Sequence, residues 1–176
     1  MSPKTQNTTP NLKKQLSKMD KRKVVLFDID YTLFNTDVFK ETQLKKHSVY
    51  DEVHGVLKNL SKVAELGIFS EGETDFQKTK LNNTDIKKYF KEKHVHIALN
   101  KKDQIRNIMN KYSDKQLVLV DDKLTILYES KRVLPSIFTI WVKRGMYARN
   151  QKKISGFSPD ATVNNLKEIV SIIHNS

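Results

Sequence analysis

VVLFDIDYTLF (residues 24–34) begins as an unbroken apolar run and then carries two aspartates, Asp28 and Asp30. A short continuous apolar run predicts a strand buried on both faces of a parallel sheet. Carboxylates are rarely buried without a partner, so a strand that needed only burial would not carry them at this point. We therefore expect the run to end at a site that requires negative charge.

Apolar runs alternate with segments of helical periodicity along the rest of the chain. Further strands are predicted at IFS (68–70), HVHIAL (94–99), QLVLV (116–120), IFTIWV (137–142) and DATV (160–163). Helices are predicted at 49–66, with Gly67 at the C-terminal end, and at 73–81, 83–90, 101–112, 123–133 and 164–175. This alternation predicts an α/β fold: a three-layer, Rossmann-like parallel sheet of about five strands with helices on both faces.

The composition suits one ordinary domain with a very polar surface. The chain has 176 residues, of which 30% are charged and 38% hydrophobic. We predict a flexible basic and polar tail at residues 1–20, because it has few large apolar groups, and a single domain at residues 21–176. The chain contains no cysteine, which excludes disulfides and thiolate metal sites and fits a cytoplasmic protein. No signal peptide or membrane span is expected, since no apolar run is long enough.

The net charge of +12 has two explanations. It could recruit an anionic partner such as nucleic acid through the basic residues that follow the predicted strand 137–142, namely Lys143, Arg144, Arg149, Lys152 and Lys153. It could also reflect biased composition, since the lysines are spread along the chain rather than gathered in one block. The sequence leaves both explanations open.

Polar side chains follow four of the predicted strands, where ligands bind in open parallel sheets. Asp28 and Asp30 follow the first strand, Ser70 and Glu71 the second, Lys101 and Lys102 the third, and Asp121 and Asp122 the fourth. Clustered carboxylates repel one another unless a cation lies among them, and hard oxygen ligands without His or Cys select Mg²⁺. A lysine and a serine hydroxyl can hold phosphate oxygens, while one carboxylate attacks and a second acts as general acid and base.

These motifs resemble those of the haloacid dehalogenase superfamily of phosphotransferases. DIDYT (28–32) is similar to its Asp-x-Asp-x-Thr motif and GIFS (67–70) to its second motif. The lysine before the last site strand and the acidic pair in VDD (120–122) complete the four motifs in order. The resemblance covers roughly residues 22–174 and implies an enzyme with the parallel α/β fold described above.

The resemblance also implies a role for each motif residue. Asp28 would be the nucleophile that forms an aspartyl-phosphate, and Asp30 the general acid and base. The Mg²⁺ ligands would be Asp28, Asp30 through its backbone carbonyl, Asp121 and Asp122. The phosphate-binding group would be Thr32, Ser70, Glu71 and Lys101; Lys101 is preferred to Lys102 because it stands four residues before Ile105, a predicted buried position.

Each of these residues also has a purely structural interpretation. Ser70, Asp121 and Asp122 could cap helices, Thr32 could be a loop hydroxyl, and both lysines could be solvated. His94 and His96 have no metal-ligand partner nearby and are interpreted as structural. Tyr31 departs from the family, which often has glycine there, so the loop has less freedom to adopt positive φ.

The spacing between motifs leaves no room for a cap domain. Asp28 and Ser70 are separated by 41 residues, and Ser70 and Lys101 by 30, most of them assigned to predicted elements. One short helix near residues 37–47 could lean over the site. A site without a lid suits a large substrate or a second subunit that completes it. We predict a minimal-cap, Mg²⁺-dependent phosphatase; the alternatives are a polynucleotide end-processing phosphatase and a non-catalytic phosphate-binding module.

Overall fold

Strand β1, Val24–Phe27, lies at the centre of a six-stranded sheet in the computed structural model, which describes residues 23–175. The other strands are β2 (Glu65–Glu71), β3 (Phe90–Ala98), β4 (Leu117–Asp121), β5 (Phe138–Val142) and β6 (Ala161–Val163). The helices are α1 (Thr36–Glu41), α2 (Val53–Leu60), α3 (Thr74–Asn83), α4 (Lys101–Asn110), α5 (Leu124–Val133), α6 (Gly145–Asn150) and α7 (Lys167–Asn175), with a 3₁₀ turn at Lys87–Tyr89. The predicted tail, residues 1–20, lies outside the described residues, so the domain boundary stays a prediction.

All neighbouring strands pair in parallel, in the order β3-β2-β1-β4-β5-β6. The side chains of β1 alternate between two cores. Val25 and Phe27 face α2 and α7, whereas Val24 and Leu26 face α4 and α5. The predicted three-layer α/β fold is confirmed, with six strands because the short DATV segment pairs with β5.

Two helix predictions are wrong in extent. The predicted helix 49–66 is confined to Val53–Leu60, and β2 already begins at Glu65. Gly67 therefore lies inside a strand rather than at a helix end; a Cβ there would come within 2.4 Å of the His94 carbonyl oxygen, where the pairing of β2 with β3 is irregular. The predicted helix 83–90 is only the 3₁₀ turn, because β3 begins at Phe90.

The sheet register brings the polar ends of three strands level with one another. Phe27 pairs with Ile68 of β2 and Val120 of β4, so Asp28, Ser70 and Asp121 emerge at one edge. Within residues 23–175, neither segment between the motifs forms a separate cap domain; besides the sheet strands β2 and β3, the first contains α1 and α2, and the second α3 and the 3₁₀ turn. No helix in this part of the chain is long and apolar enough to cross a membrane.

Candidate active site

The centre of the site is Lys101, which lies in the first turn of α4 and is almost fully buried. Its Nζ donates to Asp28 Oδ1 at 2.9 Å and to Asp121 Oδ2 at 2.5 Å. Burial opposes a charged lysine, but Asp121 and Asp28 outweigh it and hold the pKa of Lys101 above its usual value. Lys102 is exposed on the same helix, so the structure brings Lys101 and not Lys102 into the site.

The carboxylates around Lys101 are buried and repel one another. Burial raises the pKa of Asp28 to about 6, Lys101 limits that rise, and Asp121 adds to it. Burial and the charges of Asp121 and Asp28 raise the pKa of Asp122 to about 9. Oδ2 of Asp122 is buried and has no hydrogen-bond partner within the described part of the chain. This set of carboxylates therefore carries more negative charge than Lys101 alone neutralises.

Asp30 has a different environment, built by two helices. Its Oδ1 accepts from Thr36 Oγ1 of α1 at 2.8 Å, and its Oδ2 from Gln77 Nε2 of α3 at 3.0 Å. Lys80 of α3 donates to both oxygens at 2.8 Å. Burial alone would raise the pKa of Asp30, but the Lys80 ammonium and the two other donors outweigh it and hold the pKa below its usual value.

Lys80 was not found from the sequence. It is a buried lysine whose Nζ lies 5.1, 6.0 and 4.8 Å from the ring centroids of Phe34, Phe39 and Phe76. Gln77 and Lys80 are three residues apart and share the inward face of α3 with Leu81. The sequence could have indicated Lys80 only as a polar residue at an inward position of an amphipathic helix. The helical pattern of ETDFQKTKL is too weak to show which positions face inward.

The structure places the predicted phosphate-binding residues differently from one another. Ser70 Oγ is buried at the end of β2, the strand next to β1, and has no hydrogen-bond partner among residues 23–175. Thr32 is fully buried, and its hydroxyl has no partner in the same part of the chain. Neither side chain lines the cavity described below, so a phosphate-binding role for Thr32 and Ser70 stays a prediction.

Glu71 has partners within the protein. Its carboxylate accepts from the backbone N–H of Lys101 at 3.3 Å and from Lys123 Nζ at 3.3 Å. Burial would raise the pKa of Glu71, but Lys123 and these donors hold it below its usual value. The side chain therefore orients Lys123 and the start of α4, and a phosphate-binding role for Glu71 stays a prediction.

A cavity of about 370 Å³ opens above these groups. Its polar lining consists of Asp28, Asp30, Thr36, Lys40, Glu71, Lys80, Asp122 and Lys123. The other four lining residues are apolar and are described below. The Asp28 carboxylate thus lines an open cavity while it accepts a hydrogen bond from the buried Lys101 ammonium.

Comparison with solved structures places this architecture among known folds. A protein from Burkholderia xenovorans described as a haloacid dehalogenase-like hydrolase superposes with a TM-score of 0.71 and 21% identity, over 88% of this chain and 97% of that chain. The Bacillus subtilis HAD-hydrolase YfnB bound to magnesium superposes with a TM-score of 0.67 and 11% identity, over 88% of this chain and 99% of that chain. A Clostridium difficile protein described as a phosphatase superposes with a TM-score of 0.65 and 19% identity, over 88% of this chain and 99% of that chain. No family model and no curated protein sequence matches the chain.

The chain has the haloacid dehalogenase-like fold. The resemblance predicted from the four motifs is confirmed at this level. Because the identities are 21% or lower, the likeness extends to the fold and not to a substrate.

One local feature of this haloacid dehalogenase-like fold corrects the prediction for Tyr31. The residue stands where glycine is frequent, yet its backbone has a φ of 58°, the left-handed conformation that glycine adopts most easily. Its ring packs on Gly145, where a Cβ would come within 2.2 Å of Tyr31 Cδ1. The bulky residue in the loop is thus accommodated by a glycine in the facing segment.

The oxygen atoms around Asp28 decide whether the predicted Mg²⁺ site fits this chain. Among residues 23–175, no group of three or more acidic or histidine side chains converges closely enough to hold a metal as it stands. The Asp30 carboxylate is turned toward Lys80, so only its backbone carbonyl remains as a ligand. The chemistry nevertheless fits Mg²⁺, because the other donors are carboxylate oxygens and the Asp122 oxygen is buried and unpartnered.

The predicted basic residues have unequal environments. Arg144 donates to Glu52 and stacks on the Tyr50 ring with its Cζ 3.8 Å from the centroid, so it holds β5 to the α2 region. Lys143 and Arg149 are exposed after β5, at the same sheet edge as Asp28. Arg144 is therefore a structural residue rather than an anchor for a polyanion.

His94 and His96 lie away from the site, as the structural interpretation implies. His94 Nε2 lies 2.8 Å from Glu65 Oε2, and His94 Nδ1 lies 2.9 Å from the Tyr112 hydroxyl. The same hydroxyl lies 2.7 Å from His96 Nε2. The two histidines join β2, β3 and the end of α4 through a hydrogen-bond chain.

Proposed function

We propose that the protein is a Mg²⁺-dependent phosphomonoester hydrolase that acts through an aspartyl-phosphate on Asp28. One observation carries the proposal: buried Lys101 bridges Asp28 and Asp121 at the sheet edge where β2 presents Ser70, whose hydroxyl has no partner among residues 23–175. A nucleophilic carboxylate with an ammonium and a free hydroxyl at its side is suited to hold and attack a phosphoryl group. The similarity to proteins described as a hydrolase and a phosphatase supports this reading.

The chain's own residues provide both chemical steps. An oxygen of Asp28 attacks phosphorus, the bond from phosphorus to the leaving oxygen breaks, and Lys101 and Ser70 hold the phosphoryl oxygens. Water then attacks the acyl phosphate, and Asp30 accepts its proton to release phosphate and regenerate Asp28. The same carboxyl group, when protonated, gives a proton to the leaving oxygen in the first step.

Asp28, Asp121, Asp122 and the Asp30 carbonyl would hold the Mg²⁺. When bound, the ion supplies positive charge that offsets the negative charge of the carboxylates and the phosphoryl oxygens. This charge would neutralise the excess that Lys101 leaves around Asp28.

Asp30 also favours phosphoryl transfer over dehalogenation, the other reaction of the family's name. A halide leaving group needs no proton, so dehalogenation does not require a second carboxyl group at this position. Here the carboxyl group is held by four hydrogen bonds from three side chains and lines the cavity. Such a positioned acid–base group is useful where an alkoxide leaves and water attacks.

The test is phosphate release from a panel of small phosphate esters, phosphopeptides and 3′- or 5′-phosphorylated oligonucleotides. Asp28→Asn should abolish release while circular dichroism shows an unchanged fold, since an isostere opens no cavity. Beryllofluoride should bind the wild type and not this variant. Asp103→Asn, an exposed acid on α4, is the matched control and should keep full activity. Wild-type turnover by Asp28→Asn, or full activity in excess chelator, would refute the proposal.

A phosphorylated polynucleotide is a second candidate substrate, supported by the exposed Lys143, Arg149, Lys152 and Lys153 after β5. Arg144 does not contribute, because Glu52 occupies it. Each single-strand phosphate contact should add about −0.7 to the log–log slope of activity against salt. Reversing the charge of Lys143 and Arg149 should flatten that slope for an oligonucleotide; an equally shallow slope for a small aryl phosphate would remove this candidate.

A further inference from the structure

Four apolar side chains, Tyr31, Phe39, Leu44 and Phe76, line the cavity, and we call them the apolar wall. Two of them, Leu44 and Phe76, are exposed and are explained neither by core packing nor by the proposed chemistry. The apolar wall lines the same cavity as the Asp28 carboxylate. The leaving group of a phosphate ester seated on Asp28 would therefore share this cavity with the apolar wall.

Two residues of the apolar wall have a backbone that glycine would adopt at lower cost. The φ of Tyr31 is 58° and that of Leu44 is 64°, both in the left-handed region. A side chain in this conformation costs on the order of 1 kcal/mol. Other contacts of each side chain must therefore offset this conformational free energy.

Core packing offsets this free energy for Tyr31 but not for Leu44. The Tyr31 ring is buried against Gly145, and its hydroxyl accepts from Lys40 Nζ at 2.9 Å. Leu44 is 58% exposed, and Phe76 on α3 is 44% exposed. Two large apolar side chains thus face solvent at the mouth of a candidate active site, one of them with a strained backbone.

From this wall we infer that the leaving group of the substrate carries an aromatic ring attached directly at the phosphoryl oxygen; the inference rests on the proposed hydrolase function. The exposed Phe76 ring, tilted 49° on the Phe39 ring at 6.0 Å, offers a face for such a ring, and Leu44 adds a second exposed apolar contact in the same cavity. A cavity of about 370 Å³ holds one or two rings beside a phosphate, whereas a long alkyl chain would extend beyond it. The chemistry is shared by small aryl phosphates and by the phosphotyrosine side chain of a protein.

Binding tests the aromatic subsite without requiring turnover. Benzylphosphonate, a non-hydrolysable analogue of phenyl phosphate, and methylphosphonate should be titrated into the Mg²⁺-loaded wild type by calorimetry. Benzylphosphonate should bind about tenfold tighter, which corresponds to about 1.4 kcal/mol from one aromatic contact. Phe76→Ala and Leu44→Ala should each reduce that ratio several-fold without weakening methylphosphonate. Leu99→Ala removes an apolar side chain that is 80% exposed and does not line the cavity, so it should leave the ratio unchanged.

Turnover then separates this inference from the proposed function. kcat/KM for phenyl phosphate and for a phosphotyrosine peptide should fall about tenfold in Phe76→Ala, while kcat/KM for acetyl phosphate should not change. A larger kcat/KM for the peptide would identify the protein side chain as the source of the ring, and a larger value for phenyl phosphate the small molecule. Equal binding of the two phosphonates, or equal loss for aryl and acetyl phosphates, overturns the aromatic subsite even if hydrolysis is observed. Preferential benzylphosphonate binding with no ester hydrolysed would instead support the subsite and refute the hydrolase proposal.

Discussion

Replacing Lys80 by methionine should show how much the ion pair with Asp30 contributes to the free energy of unfolding. Lys80 Nζ lies 2.8 Å from Asp30 Oδ2, and the two side chains are 5% and 28% exposed. Removing one partner of a fully buried pair costs about 3–5 kcal/mol, because the other charge is left uncompensated. Asp30 retains its bonds from Thr36 and Gln77 and is partly solvated, so we expect a loss of about 2 kcal/mol at pH 7. Methionine keeps the apolar stem among the surrounding phenylalanine rings.

The dependence of this loss on pH follows from the direction of the pKa shift. The pKa of Asp30 is lowered in the folded protein, so the pair stabilises the fold above the ordinary carboxyl pKa of about 4. That stabilisation disappears as the pH falls through the folded-state pKa, because both the folded and the unfolded chain are then protonated. The difference between wild type and Lys80→Met should therefore be constant near neutral pH and shrink in acid.

Urea unfolding followed by circular dichroism, between pH 7 and pH 3, measures this difference. Lys78→Met, a half-buried lysine on the same helix that does not contact Asp30, is the control and should change the free energy of unfolding by less than about 0.5 kcal/mol. A double-mutant cycle with Asp30→Asn should give a coupling energy above about 1 kcal/mol. In kinetics, the acidic limb of the rate profile should move to higher pH in Lys80→Met. A loss no larger than in the control, with no coupling, would refute this account of Asp30.

Three other perturbations test separate parts of the structure. Because the pKa of Asp122 is about 9, its carboxyl group is protonated at pH 7, so Mg²⁺ binding should release a proton, visible as a buffer-dependent heat in calorimetry and lost in Asp122→Asn. Arg144→Met should lower the free energy of unfolding by about 3 kcal/mol, since it leaves Glu52 buried and unpaired; an unchanged urea midpoint would show that the pair is not structural. Burial and, secondarily, Lys111 lower the pKa of His96 to about 4, so the folded chain resists protonation of His96 below pH 6.5. The free energy of unfolding should therefore fall by about 1–2 kcal/mol between pH 6.5 and 4. His96→Gln should flatten that decrease.

The strand-end residues were predictable because their position depends on topology alone. Continuous apolar runs such as residues 24–27 and 117–120 read as buried parallel strands, and the carboxyl ends of parallel strands share one sheet edge. Asp28, Ser70 and Asp121 could thus be brought together without knowledge of any side-chain contact. Lys101 followed from its place at the start of a helix.

Features that depend on the meeting of distant segments were not predictable. The helical pattern continues through Ala64 and Leu66, and only the pairing of residues 65–71 with β1 and β3 ends the helix early. The local sequence around a lysine on α3 predicts a solvated side chain. Lys80 becomes a buried partner only because the loop after β1 turns the Asp30 carboxylate toward α3.

The helices that approach Asp30 lie in the two segments where related folds insert a cap. α1 follows β1 and supplies Thr36, while α3 follows β2 and supplies Gln77 and Lys80. In this chain both segments are too short to cover the site, and each sends side chains down onto the same carboxylate. A cap excludes water from a site, whereas these helices fix where the Asp30 carboxylate points and hold its pKa below the usual value. Because these contacts come from within the domain, they do not depend on a lid closing, and Asp30 is held in one place at a site that stays open.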